Sequence, residues 1–85
     1  MMVIFEVFLA PDADPESLLT EEQRRETQAQ VMTPDEARKV GFANIPASPG
    51  QEVRLVAVAK RDAGWIHRSL ESNDAVGSFR IHDVD

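Results

Sequence analysis

Three stretches of the chain have the apolar patterning of β-strands, and helical patterning fills the spaces between them. Met2-Val3-Ile4-Phe5-Glu6-Val7-Phe8-Leu9 is almost continuously apolar and rich in β-branched and aromatic residues. That pattern predicts a strand covered on both faces and central in its sheet. Pro11, Asp12, Asp14 and Pro15 end it in a turn-rich connection. Glu52 to Lys60 predicts a second strand, with Val53, Leu55, Ala57 and Ala59 on one face and Arg54, Val56, Val58 and Lys60 on the other. Ser78 to Val84 predicts a third, in which Phe79 and Ile81 alternate with Arg80 and His82.

The helical signals differ in quality. Glu16 to Gln30 has helix-forming composition but a weak apolar stripe, with Leu18 and Leu19 at one end and Val31 and Met32 at the other. Such a helix buries little, and residues 12–32 are expected to form an acidic helical segment free to move. Glu21–Arg25 and Glu22–Arg25 are its candidate ion pairs. Thr33-Pro34-Asp35-Glu36 is sharper: Thr33 caps, Pro34 suits the first helical position and Glu36 completes a capping box. This helix is expected to reach Val40, with Gly41 as its left-handed terminator and Phe42 in the hydrophobic contact that follows. Residues 44–49 read as loop, and Pro49-Gly50 as the centre of a type II turn. A last helix runs from Ala63 to Ser72 with Asp62 as its cap, Ala63, Ile66 and Leu70 as its stripe and Trp65 at the border.

The order is strand, two helical pieces, strand, helix, strand. The last three elements form a βαβ unit, and the apolar first strand fits between its two strands, antiparallel to both. The fold class is therefore α+β, a small sheet of about three strands with two or three helices. In element order alone this resembles a split βαβ, or ferredoxin-like, arrangement. Such a fold hosts many functions and transfers none. One helix covers one sheet face, with Val3, Phe5, Val7, Leu9, Leu55, Ala57, Phe79 and Ile81 beneath it. The other face is then expected to carry Ile4, Phe8, Val56, Val58 and Val84, too much apolar surface to leave in water. Either the helix after Thr33 folds over it, or a second copy of the chain does.

Composition narrows the function classes. The 85 residues suit a single domain, residues 1–85, with 42% hydrophobic and 28% charged side chains. There is no cysteine, which removes disulfides, cysteine-ligated zinc and thiol nucleophiles and fits a reducing, cytoplasmic setting. The apolar run at the start lacks the length of a membrane span and the basic flank of a signal peptide. The net charge of −6 is uneven: residues 1–50 hold nine acids against four bases, residues 51–85 six against five. That balance argues against nucleic acid and anionic membrane as partners.

No phosphate loop, dinucleotide fingerprint, zinc or calcium motif or nucleophile elbow occurs, so no cofactor, metal or catalytic residue is assigned and the chain is not expected to be an enzyme. His67, beside Arg68, reads as a rim residue, and the tail His82-Asp83-Val84-Asp85 cannot converge ligands on a metal from alternating strand faces. One cluster stands out. Glu6, Arg54, Arg80 and His82 are expected on one sheet face, as an anion-binding or acid–base group or as an ordinary structural ion pair. The resulting expectation is a protein-interaction or regulatory module, a homodimer, acting through the second sheet face and the acidic segment. The alternatives are a sensor of a small anionic metabolite and an acidic inhibitor or immunity-type protein.

Overall fold

The most apolar segment becomes the most enclosed strand. β1 (Met2–Leu9) is buried from Val3 through Leu9 and hydrogen-bonds to a strand on each side. The computed structural model describes residues 2–41 and 52–84. After β1 come α1 (Glu21–Thr27), β2 (Gln30–Met32), α2 (Pro34–Lys39), β3 (Val53–Ala59), α3 (Ala63–Glu71) and β4 (Val76–Val84). Short 3-10 turns lie at Pro15–Ser17 and Lys60–Asp62. The protein is α+β, with one four-stranded sheet in the order β2-β3-β1-β4 and every neighbouring pair antiparallel. β3 and β4 therefore run parallel to each other with β1 between them, as the patterning predicts. Among the described residues no helix is long and apolar enough to cross a membrane. The expected loop at 44–49, the turn at Pro49-Gly50 and the contact of Phe42 lie outside the described residues.

The fourth strand corrects the count of three. Gln30–Met32 pairs with β3, Val31 opposite Val56, where composition predicts the end of a long helix. The helix stops because Gln28 takes a left-handed conformation, φ 55°. Three residues are too few to show a two-residue alternation, so the strand left no pattern to read. The same stretch is better anchored than its weak stripe predicts. Leu18, Leu19 and Ala29, which flank α1, are buried with Val3, Phe5 and Ile66.

Caps set the helix limits. At α1 the Thr20 hydroxyl accepts from the Gln23 N–H at 3.0 Å, and the Gln23 side chain accepts from the Thr20 N–H at 2.9 Å. This capping box starts the helix at Glu21, later than the Glu16 that composition predicts. The box at α2 is as expected: Thr33 accepts from the Glu36 N–H at 3.2 Å and Glu36 from the Thr33 N–H at 3.1 Å. Gly41 follows α2 with φ 105°, a conformation that favours glycine. Asp62 does not cap α3 with its side chain. The Lys60–Asp62 turn feeds directly into the helix, so Asp62 is already in the helical region, φ −98° and ψ −3°, rather than the extended conformation a capping side chain needs.

The register of β3 departs from expectation. Val58, Val56 and Arg54 lie opposite Val3, Phe5 and Val7, whereas Ala57, Leu55 and Val53 lie opposite Ile4, Glu6 and Phe8. Residues directly opposite share a face. Val56 and Val58 therefore lie under α3, packed with Ile66 and Leu70, and Leu55 and Ala57 join Ile4 on the second face. Alternation says which β3 residues go together. It cannot say which face they join when both alternating sets are mostly apolar. α2 folds onto that second face, where Ala37 packs with Ile4, Met32, Leu55 and Ala57. The sheet is thus sandwiched, with the larger cluster on the α3 side and the smaller under α2.

Candidate functional site

The structure divides the four-residue cluster expected on one face. Glu6 and His82 meet: His82 Nε2 lies 3.0 Å from Glu6 Oε1. Arg80 is directly opposite Glu6 in the β1–β4 ladder, but its guanidinium lies over the Phe8 ring, 5.6 Å from the centroid. Arg54 is not part of this group. Its place opposite Val7 puts it on the other face, where its Nη1 donates to Glu52 at 3.0 Å and to the Val53 carbonyl at 2.9 Å. Arg54 changes face together with the rest of β3.

Glu6 is the most unusual residue of the group. It sits mid-strand in the central strand, 0% exposed, among apolar neighbours. One carboxylate oxygen has the imidazole of His82; the other, Oε2, is buried and has no hydrogen-bond partner among the described residues. Leaving such an atom unpaired costs about 1–3 kcal/mol. Glu6 is held there because β1 is buried on both faces, so no position in its middle reaches water. His82 lies on the outer strand and is a third exposed. The pair ties β4 to β1 at a point where the ladder would otherwise bury a lone carboxylate. Among the described residues no three His, Cys, Asp or Glu side chains gather as a metal site would require.

The expected partner face is not a free surface. Ile4, Phe8, Val56 and Val58 are all buried within the single chain, and Val56 and Val58 lie on the opposite side of the sheet from Ile4 and Phe8. Val84 stands opposite Met2 in the β1–β4 register. The surface proposed from sequence therefore dissolves: two of its residues belong to the core under α3, and Ile4 packs in the cluster under α2.

What remains open is an edge. β4 is nine residues long and, among the described residues, pairs only with β1. Its outer side carries backbone N–H and C=O groups that a further strand could satisfy. Ile81 on this strand is 50% exposed, and Phe79 beside it is partly buried. A β-bulge lies near the start of the strand: Phe8 pairs with Ser78 but Leu9 with Val76, so Gly77 is the extra residue. A Cβ on Gly77 would come within 3.2 Å of the Phe8 carbonyl oxygen, which explains a glycine there. The His67 ring packs edge-on to Phe79 at 5.3 Å and near Phe5 at 6.3 Å, while its Nε2 lies 2.9 Å from Glu71. His67 is thus a packing residue that fixes α3 against β1 and β4. Its one legible signal was the four-residue spacing to Glu71. No protein-family model matches the chain, and no curated protein is significantly similar to it.

Proposed function

We propose that the protein is a non-catalytic interaction module that dimerises by pairing the outer edge of β4 with the same edge of a second copy. The observation that carries this is the nine-residue outer strand, whose outer edge pairs with no other strand among the described residues, and its half-exposed Ile81. A twofold axis perpendicular to the sheet brings odd-numbered residues opposite odd-numbered ones. Phe79 and Ile81 of one copy then meet the same two residues of the other, on the face that α3 covers. Such pairing satisfies the edge backbone groups and removes exposed apolar surface in one step. C2 dimers are the commonest assemblies of soluble proteins. The test is the mass in solution of the protein and of Ile81→Lys: a wild-type dimer that the substitution dissociates supports the reading, and a wild-type monomer ends it.

We also infer that the fold is of the ferredoxin-like, split βαβ kind. β3 and β4 flank β1 and are joined through α3, and β1 and β2 flank β3 and are joined through α1. These are two interlocked βαβ units in one antiparallel sheet. A backbone assignment by NMR with cross-strand contacts between β1 and β3 and between β2 and β3 tests it.

A further inference from the structure

The loss of Arg54 from the expected cluster places it beside a different arginine. A cleft of about 350 Å³ is lined by Glu16, Arg24, Val31, Thr33, Glu36 and Arg54 among others. That volume is within the range of small-ligand sites. Both guanidiniums are held in place by a single nitrogen. Arg24 Nη2 donates to the Glu16 carbonyl at 3.2 Å and to Glu16 Oε2 at 3.3 Å. Arg54 uses Nη1 in the same way, on Glu52 and Val53. Arg24 Nε is buried and, among the described residues, donates to nothing. A cationic donor shut away from any acceptor is costly, and a small turn of the guanidinium toward an acceptor in the cleft would relieve it. The two arginines are partly exposed, 38% for Arg24 and 24% for Arg54, so a solute can reach them.

The acids of the cleft are committed by one oxygen each. Glu16 spends Oε2 on Arg24, and Glu36 spends Oε1 on the Thr33 N–H. Arg54 and Lys39 add a favourable field at the Glu36 carboxylate. Two cations and two carboxylates line the cleft, with a third carboxylate, Glu52, on Arg54 beside it, a balance that disfavours a highly charged anion such as a phosphate ester. It suits a solute carrying one carboxylate and one ammonium group, the first on the free guanidinium edges and the second on the free carboxylate oxygens. We propose that this cleft binds a free α-amino acid. This goes beyond the edge-pairing reading and does not depend on it.

The experiment is a thermal-shift series with each of the common amino acids singly, and with the matching amine and the matching carboxylic acid of any that act. At about five times its Kd a bound amino acid should raise Tm by roughly 4–8 °C for a chain of this size. Arg24→Gln and Arg54→Gln should each abolish the rise, and NMR titration should move the amide signals of Val31 and Thr33 while leaving those of β4 in place. No shift with any amino acid overturns the proposal. So does a rise that survives in both variants, or one that the carboxylic acid alone reproduces. Movement of β4 signals instead would locate binding at the edge and overturn it as well.

Discussion

Glu6 and His82 carry the sharpest single-residue consequence. Removing the imidazole leaves a buried carboxylate with neither oxygen paired. His82→Ala should therefore destabilise the protein by about 1–3 kcal/mol in urea unfolding. Replacing the acid by an apolar residue of similar volume, Glu6→Met, removes the need for a partner and should be neutral or stabilising, as often happens with buried pairs. Equal losses in the two variants would mean that the pair contributes through packing alone. Glu36 gives a pH prediction. Its hydrogen bond from Thr33 holds its carboxyl below the ordinary value of 4.5. A depressed folded-state value means stability that is present above the unfolded value and lost as pH falls through the folded one. Unfolding curves below about pH 4.5 should thus steepen in their decline for the wild type relative to Glu36→Gln, which keeps the capping bond without the charge. That Glu6, Arg80 and His82 share a face was legible in the chain, because β4 alternates Phe79 and Ile81 with Arg80 and His82. The face of Arg54 was not, because both alternating sets of β3 are mostly apolar and either could lie under α3.

Element boundaries follow from caps and from two residues with positive φ. Thr20→Ala and Thr33→Ala should each cost about 1 kcal/mol, because each frees an amide at a helix start. Gln28 ends α1 in the left-handed region, which costs a side-chain-bearing residue roughly 1–2 kcal/mol relative to the right-handed one. Gln28→Gly should raise stability by up to about 1 kcal/mol, and a decrease would show that the Gln28 side chain has a contact of its own. β1, a continuous apolar run, and α3, with its Ala63, Ile66 and Leu70 stripe, could be read from the residue pattern alone. β2 could not. It is a strand because β3 offers it an edge and α1 has ended, and both causes lie elsewhere in the chain. The same limit applies to the weak stripe before it: Leu18, Leu19 and Ala29 find the core through turns and caps, so their burial has no helical period to betray it.

At the scale of the whole molecule, the apolar second face of the sheet needs a cover. Part of that cover is α2, whose Ala37 packs there with Ile4, Leu55 and Ala57. With Ile4 and Phe8 buried inside one chain, the face no longer calls for a partner. The demand moves to the rim of the sheet. Its two outer strands differ: β2 is three residues long and offers little to pair with, whereas β4 offers nine. Proteins commonly blunt such edges with charge, proline or bulges. Here the bulge at Gly77 lies near the start of the strand, and Phe79 and Ile81 beyond it are apolar. Dimerisation through β4 would extend the sheet to eight strands and leave the Arg24–Arg54 cleft, which lies among residues of α1, β2, α2 and β3, clear of the interface.

That edge carries the proposed dimer. Light scattering of the protein eluting from a sizing column, at about 100 μM where a micromolar Kd would leave mostly dimer, reads it in one step. The predicted result is the mass of two chains for the wild type and of one chain for Ile81→Lys. A wild-type protein that elutes as a single chain at that concentration would contradict it.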